Sequence, residues 1–415
     1  VTSEEVVNAF IERIKEVNPI LNALVQERFE DARKEARDID TFISTSGKTV
    51  KELEEEKPLL GVPFTVKDFY GVKGLKHTCG MWGRRENVAE EDAECVRLMK
   101  EAGAICLGVT NVPEFCMWWE THNTIYGRTN CPYDVNRIAG GSSGGEGSLQ
   151  SACGTPLSIG SDIAGSIRFP SFFNGVFGHK PTSDVVSNKG AEPNLIGLHN
   201  SLSVTGPICK YVDDISLMYR VLAGKNLGLL SLDKKVDLKN INIYYMENDG
   251  GDPLLPRVNP EITFAQRKIL KHFEDEFKIS PVKVNFKQLV DARKIYFAKL
   301  FSEKEAHSYA FEYGNRKNLL GDNGVFIYPT QPKNDIYHNG TLFCYFVIIY
   351  TGIWNLLGVP SIQCPLGLGS NRLPLGVQVI GNKYQDHLCL AVAKEIEKTF
   401  GGWVNPSKVS TDSES

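Results

Sequence analysis

Strand-like and helix-like segments alternate along most of this 415-residue chain, and the alternation constrains its fold more than any other feature. A helical pattern over 92–102 is followed by a strand-like run at 105–109, and the strand-like segment 241–246 precedes a helical pattern over 260–277. The segment 325–328 is again strand-like. Such alternation is typical of a sheet covered by helices. Because no internal repeat or domain boundary is evident, the sequence predicts an α/β fold with one large domain, in which a mixed twisted sheet is layered by α-helices.

A short run of glycine and serine, Gly140–Gly145, is flanked by sequence that is typical of ordered structure. Glycines on both sides of Ser142 and Ser143 permit backbone conformations closed to other residues and let a substrate approach the main chain. Flexible linkers extend over longer tracts, so the run predicts a tight site. A serine hydroxyl attacks a carbonyl only when a base removes its proton, and the chain must therefore supply that base.

Lys67 is the candidate base. It ends the apolar segment 59–67, whose β-branched residues indicate a buried strand. A lysine accepts a proton only when it is neutral, so its pKa must fall from about 10.4 by roughly three units through burial or a nearby positive dipole. A surface lysine at a strand end is the ordinary alternative for any isolated lysine.

A third block, Asp162–Arg168, places small residues directly before a serine. Small side chains let successive backbone N–H groups converge on one point, as an oxyanion hole requires. One such donor contributes about 2.7–4 kcal/mol to transition-state stabilisation. Taken alone, the block is equally typical of a turn before a helix.

The three blocks together resemble the amidase signature family in residue type and spacing. The resemblance implies the fold of that family and a Ser-Ser-Lys triad, with Ser166 as nucleophile, Ser142 as the bridging serine and Lys67 as general base and later acid. Further roles implied by the resemblance are oxyanion and substrate binding by the backbone of Cys116, Ile163, Ala164, Gly165 and Ser166, and support by Ser143, Asp162 and Arg168. No metal or other cofactor is expected.

The segments 166–182, 374–381 and 399–406 are similar to one branch of the family, the fatty-acid amide hydrolases, especially those of the second type. This resemblance implies a small-molecule lipid amide as substrate, with esters as a further bond type, and an acyl-enzyme at Ser166. It is compatible with peripheral membrane contact and with a homodimer. Members often carry an upstream membrane anchor, so we expect that the full-length form is anchored by a segment absent from this sequence.

Two positions depart from the pattern of the family. Ala164 stands where a glycine is usual, and the region 299–322 is shorter than in relatives that insert hydrophobic helices there. Those helices touch the membrane and line the acyl channel. We therefore expect an amidase signature domain over 1–405 that is shortened near 299–322, followed by a polar tail at 406–415.

Composition excludes several other classes of protein. A net charge of −4 without a long basic block leaves no footprint for nucleic acid. Ten cysteines are scattered singly, without metal-ligand spacing, which favours reduced thiols in an intracellular compartment. The longest apolar stretch, 342–357, is interrupted by Thr351 and Asn355 and predicts a buried core helix. Near the N-terminus, Thr2 and Glu5 predict a capping box for a helix that stops at Pro19.

Three alternatives remain open at this point. The run 140–144 also satisfies the Gly-x-Ser-x-Gly pattern of Ser-His-Asp esterases, although 131–139 is interrupted too often for the strand that such a motif requires, and His179 is more typical of a packed histidine. A glutamine-hydrolysing amidotransferase subunit would share the fold. A non-catalytic lipid-amide-binding relative would keep the triad and lose part of the acyl channel.

Overall fold

The computed structural model describes residues 1–195, 197–286, 289, 291–301 and 320–406. The strands are β1 (Leu24–Glu27), β2 (Pro63–Lys67), β3 (Ile105–Thr110), β4 (His122–Asn123), β5 (Gly127–Arg128), β6 (Asn130–Cys131), β7 (Asp134–Ile138), β8 (Leu157–Asp162), β9 (Phe177–Lys180), β10 (Val204–Cys209), β11 (Asn242–Tyr245), β12 (Val282–Lys283), β13 (Gly324–Pro329), β14 (Ser361–Leu368) and β15 (Pro374–Ile380). The helices are α1 (Ser3–Leu21), α2 (Phe29–Thr45), α3 (Val50–Glu56), α4 (Glu94–Glu101), α5 (Gly144–Ser151), α6 (Arg168–Phe173), α7 (Gly197–Leu202), α8 (Val212–Ala223), α9 (Pro260–Phe277), α10 (Ala292–Phe301), α11 (Ile349–Leu356) and α12 (Asp386–Phe400).

Eleven strands form one sheet in the order β1-β3-β2-β8-β10-β9-β14-β15-β13-β11-β12. The neighbours β3, β2 and β8 run parallel, the pairs from β8 to β13 are antiparallel, and β13, β11 and β12 are parallel again. The largest apolar cluster packs side chains of the sheet against α4, α8, α9 and α12. The predicted α/β class with a mixed, helix-layered sheet is therefore confirmed.

The first helix begins with the predicted capping box but ends later than predicted. The Thr2 hydroxyl accepts from the Glu5 amide, and the Glu5 carboxylate accepts from the Thr2 amide. The helix then continues through Pro19 to Leu21, so the prediction that proline stops it was wrong. Asn18 explains the extension, because its side-chain oxygen accepts from the amides of the two residues that follow the cap, at 2.8 Å each.

The site is positioned by two parallel strands at the middle of one half of the sheet. Strands β2 and β8 pair directly, with Val66 opposite Ile159, so that Lys67 and Asp162 emerge at the same edge. Carboxyl ends of parallel strands are where open α/β sheets place their ligands. The three sequence blocks meet at this edge, since Gly140–Gly145 leads into α5 and the segment after Asp162 leads into α6.

The apolar stretch 342–357 differs from its prediction in part. Only Ile349–Leu356 forms an α-helix, which is buried over most of its length as expected. The preceding residues form short 3₁₀ turns in which Leu342 and Phe343 are exposed, at 65% and 91%. Among the described residues, none of the helices combines the length and the apolar content that crossing a bilayer requires. Most of the region predicted to be shortened, and nearly all of the polar tail, lie outside the described residues.

Candidate active site

Lys67 is fully buried at the end of β2, and its side-chain nitrogen contacts two serines. The Nζ atom donates to Ser142 Oγ at 2.6 Å and to Ser161 Oγ at 2.8 Å. Burial lowers the pKa of Lys67, and the nearby thiol and carboxyl groups of Cys116, Cys79, Asp162 and Glu146 oppose this shift only partly. A lysine of this kind can exist as a neutral amine and exchange a proton with a hydroxyl.

The glycine-serine run is packed tightly rather than flexible. A Cβ added at Gly145 would lie 2.5 Å from the backbone nitrogen of Asn111, so only glycine allows this approach. The Ser143 amide donates to the Ser166 carbonyl at 3.2 Å, and the Ser143 hydroxyl contacts the Ser161 backbone. Ser143 thus ties the two serine-bearing loops together, which agrees with its predicted supporting position.

A strand does precede this run, contrary to the sequence prediction. Residues Asp134–Ile138 form β7, which pairs with β6 in a two-stranded sheet outside the main one. The prediction failed because the polar residues of β7 are partly exposed, and a strand of a small surface hairpin needs no continuous apolar pattern. The lysine contact of Ser142, rather than a missing strand, is therefore what separates this site from a Ser-His-Asp arrangement.

The loop after β8 is organised around a buried ion pair. Asp162 and Arg168 are both fully buried and form two hydrogen bonds of 3.0 Å. Burial alone would raise the pKa of Asp162, but the Arg168 charge and hydrogen bonds outweigh it and lower the pKa to about 2. Asn355 on α11 completes the arrangement, because it donates to the Asp162 carbonyl and accepts from Arg168. Asp162 and Arg168 therefore hold the loop, as the resemblance implied.

The backbone amides of this loop differ in what they contact. The Gly165 amide donates to Asp162 Oδ1 at 2.6 Å, so it is already used within the loop. Within the described residues, the amides of Ile163, Ala164 and Ser166 have no protein partner. The Ile163 carbonyl accepts from Tyr296, which holds the peptide group whose N–H belongs to Ala164, and the Ala164 carbonyl accepts from Thr351. Three of the four predicted oxyanion donors are thus available, and their role remains a prediction.

Two cavities meet at Ser166. The first, the serine cavity, is lined by side chains that include Ser142, Ser161, Ser166, Asn194 and His199. The second, the aromatic cavity, is lined by residues that include Trp118, Trp119, Phe169, Tyr296 and Tyr345. Ser166, Ile163, Cys116 and Met117 belong to both linings. No Asp, Glu, Lys or Arg is among the described residues that line either cavity.

Cys116 lies at the junction of the two cavities in an unusual backbone conformation. Both Phe115 and Cys116 have positive φ, at 59° and 52°. Non-glycine residues in this region cost about 1–3 kcal/mol each and cluster at functional sites. The predicted proximity of the Cys116 backbone to a substrate remains a prediction.

Sequence reasoning missed several residues of the site. Ser161 carried a weak signal, because it directly precedes the Asp162 block. Tyr296 and Thr351 lie more than a hundred residues further along the chain, where no local pattern connects them to the loop that they support.

Glu146 is fully buried beside Thr65, and burial raises its pKa to about 7 although the Thr65 hydroxyl donates to it at 2.5 Å.

His179 lies away from both cavities. Its Nε2 contacts Asp386 at 3.1 Å, and its ring packs edge-on against Tyr219 with 5.1 Å between centroids. The sequence favoured a packed or hydrogen-bonded histidine of this kind over a catalytic one. Across the described residues there is no cluster of His, Cys, Asp and Glu suited to a metal ion.

Comparison with known proteins agrees with this fold. A profile of the family described as Amidase matches residues 5–323 and 319–390. Fatty-acid amide hydrolase 2 of Homo sapiens is 40% identical over an alignment of 463 positions, gaps included, and the alignment covers 97% of this chain and 87% of that protein. A glutamyl-tRNA(Gln) amidotransferase subunit of Sulfolobus acidocaldarius is 29% identical, and the alignment covers 94% of this chain and 97% of that protein. A solved structure from a vestigial protein complex linked to the origins of an s-triazine catabolic enzyme superimposes with a TM-score of 0.81 at 25% identity, covering 98% of this chain and 96% of that one.

The fold and these matches together define an amide hydrolase. The chain belongs to the amidase signature family, and fatty-acid amide hydrolase 2 is among its similar relatives.

Proposed function

We propose that this protein hydrolyses fatty-acid amides through a Ser-Ser-Lys relay and an acyl-enzyme at Ser166. The observation that carries the proposal is the 2.6 Å contact between Lys67 Nζ and Ser142 Oγ, two buried residues, beside a cavity that Ser142 shares with Ser166. A buried amine next to a hydroxyl favours proton exchange between them, and the more exposed Ser166 is the group that a substrate can reach.

In the proposed reaction, neutral Lys67 takes a proton from Ser142 as Ser142 takes one from Ser166. The Ser166 oxygen attacks the amide carbonyl, and the developing negative charge is stabilised by the amides of Ile163, Ala164 and Ser166, which have no other partner among the described residues. Ser142 then protonates the leaving amine with the proton returned by Lys67. A water molecule repeats the attack on the acyl-enzyme and releases the acid.

The linings of the two cavities support a lipid-like acyl group. Aromatic and aliphatic side chains dominate the aromatic cavity, including Trp118, Phe169 and Tyr345. Apolar walls suit an acyl chain because burying it releases about 0.8 kcal/mol per CH₂ group. The opposite side of Ser166 carries Asn194, His199 and Ser203, which suit a polar amine product. The name of the human relative points to the same substrate class.

The test is intact-protein mass spectrometry after exposure to a serine-directed fluorophosphonate, comparing the wild type with Ser166→Ala and Lys67→Ala. We expect a single adduct that maps to Ser166, disappears in the serine variant and forms much more slowly in the lysine variant. Folded wild-type protein that binds long-chain amides without forming an adduct would favour the non-catalytic alternative.

Glutamine hydrolysis is the second candidate because an amidotransferase subunit is 29% identical over most of the chain. Free glutamine carries an ammonium and a carboxylate that need charged partners, and the described cavity linings contain no Asp, Glu, Lys or Arg. Ammonia release from a long-chain primary amide and from glutamine should be compared under the same conditions. Release from glutamine alone would replace the proposal with this candidate.

A further inference from the structure

Two cysteines contact each other at the wall of the site. The Sγ atoms of Cys79 and Cys116 are 3.5 Å apart. Cys79 is completely buried, whereas Cys116 keeps 7% exposure and lines both cavities. All ten cysteines of the chain are free thiols, so this pair is reduced in the structure. A small molecule in the cavities therefore reaches Cys116 first, with Cys79 directly behind it.

The backbone keeps the two cysteines together. The Phe115 amide donates to the Cys79 carbonyl at 2.8 Å, and the Cys116 amide donates to the Pro113 carbonyl at 2.9 Å. The chain after Cys79 also packs closely, since a Cβ at Gly80 would lie 2.9 Å from the Pro113 oxygen. A disulfide needs about 2.05 Å between its sulfur atoms, so the two segments have only a short distance to close.

The surroundings give the two thiols different chemistry. Burial raises the pKa of the Cys116 thiol, but the Cys79 hydrogen bond, the charge of Lys67 in its protonated state and the Ser142 hydroxyl outweigh burial and lower it. The hydrogen bond to Cys116 and burial raise the pKa of Cys79. The thiolate is the reactive form of cysteine, so Cys116 is the group that meets an oxidant and Cys79 is the thiol that resolves the product.

We propose that hydrogen peroxide oxidises Cys79 and Cys116 to a disulfide that reversibly inactivates the site. The Cys116 thiolate attacks one peroxide oxygen, the O–O bond breaks, and a sulfenic acid and hydroxide form. The Cys79 sulfur then attacks the Cys116 sulfur, the S–O bond breaks, and the second hydroxide leaves with the Cys79 proton as water. Two thiols lose two electrons, and one peroxide becomes two water molecules.

The disulfide acts on the site through Cys116, and this consequence rests on the proposed function. Closing the bond pulls the segment 115–117 towards Cys79 and removes the Cys116 thiol group, which neighbours the Ser142 hydroxyl. The same segment lines both cavities beside Ser166. A displacement of about 1 Å in such a site costs on the order of a hundredfold in rate.

The experiment treats the full chain with hydrogen peroxide and blocks the remaining thiols with N-ethylmaleimide under denaturing conditions. Peptide mapping without reductant then identifies the cross-links. We expect one linked peptide that joins Cys79 to Cys116. Cys364 and Cys389, which are buried elsewhere, should remain thiols and be alkylated by N-ethylmaleimide. The fluorophosphonate reaction should slow by about a hundredfold and recover with dithiothreitol.

Cys79→Ser is the matched variant, because Cys79 lines neither cavity. Its fluorophosphonate rate without peroxide serves as its own reference, and with peroxide it should form no cross-link and keep that rate. Peptide mapping of the wild type detects the disulfide even if the protein has no activity. A protein that never reacts with the fluorophosphonate therefore overturns the proposed function, while the mapping still tests the disulfide. If Cys79 and Cys116 are still alkylated by N-ethylmaleimide after peroxide treatment, the proposed disulfide is wrong. If the cross-link forms but the fluorophosphonate reaction is not slower, its proposed effect on the site is wrong.

Discussion

The side-chain nitrogen of Lys67 lies 2.6 Å from the hydroxyl oxygen of Ser142, and both residues are buried. Lys67 is held from the opposite side by Ser161, so its position does not depend on Ser142 alone. Since burial lowers the pKa of Lys67, this contact joins a potential base to a potential proton carrier. Substitutions of the residues that hold the two groups in this relationship should therefore have distinct and measurable effects.

Replacing Lys67 with Arg should slow fluorophosphonate labelling of Ser166 by about 10²–10⁴-fold at the pH where the wild-type rate is highest and should abolish the rise of the rate with pH, because a guanidinium does not lose its proton in this range. In the wild type, the labelling rate should rise with pH through the lowered pKa of Lys67 and level off once the amine is neutral. Rates measured from pH 5 to 10 check both statements.

The control for this variant is His179→Gln, since His179 contacts Asp386 away from the cavities. It should lower the free energy of unfolding while the folded fraction keeps the wild-type labelling rate and pH profile. A histidine variant that loses labelling while folded would instead favour the Ser-His-Asp alternative.

Gly165→Ala should destabilise the protein more than Gly74→Ala. Both glycines have positive φ, at 128° and 84°, but an added Cβ collides with Thr351 Oγ1 at the first position and meets nothing within 4 Å at the second. We expect a loss of about 1–2 kcal/mol at Gly74 from backbone strain alone. Overpacking adds a further loss of about 1–3 kcal/mol at Gly165. Urea denaturation measures the two values, and equal losses would contradict the tight contact.

Glu146→Gln should change how stability depends on pH. Burial raises the pKa of Glu146 from 4.5 to about 7, so the folded state binds this proton more tightly than the unfolded state. The resulting stabilisation is fully present below pH 4.5 and is lost as the pH rises through about 7. The wild type should therefore lose stability relative to the variant between these values. Denaturation at pH 4.5, 6 and 8 tests this, and a constant difference would count against it.

Arg168→Met should destabilise the protein by about 3–5 kcal/mol near neutral pH, because it leaves the buried Asp162 carboxylate without its partner. In the wild type the pKa of Asp162 is lowered to about 2, so the stabilisation from the pair is present above pH 3.8 and is lost as the pH falls towards 2. Adding Asp162→Asn should restore part of the loss, and unfolding curves at neutral and acid pH compare the three proteins. A double variant no more stable than Arg168→Met would contradict a charge effect.

The sequence predicted best the features that depend on neighbours along the chain. The capping box of Thr2 and Glu5, the helix Pro260–Phe277 and the strand ending at Lys67 all follow from local patterns, and the structure contains each of them. The continuation of α1 through Pro19 did not follow, because it depends on hydrogen bonds that the Asn18 side-chain oxygen accepts from the amides of Ala23 and Leu24 beyond the helix end.

Features that depend on contacts across the sheet were harder to predict. The contact of Lys67 with Ser142 spans 75 positions, and only the family resemblance connected the two. The hydrogen bond that the Gly165 amide donates to Asp162 depends on the fold of the loop and not on its composition. The support that Tyr296 gives to Ile163 crosses 133 positions, which no periodicity in one segment can indicate.

The groups that we propose to exchange protons all come from residues 67–166, whereas part of the aromatic wall comes from Tyr296 and Tyr345 in the second half of the chain. Part of the substrate fit is therefore encoded in a stretch of the gene separate from the one that encodes these groups. Mutations that reshape the wall can accumulate without disturbing proton transfer, so duplicated copies of such an enzyme can acquire new substrates while they retain the same chemistry.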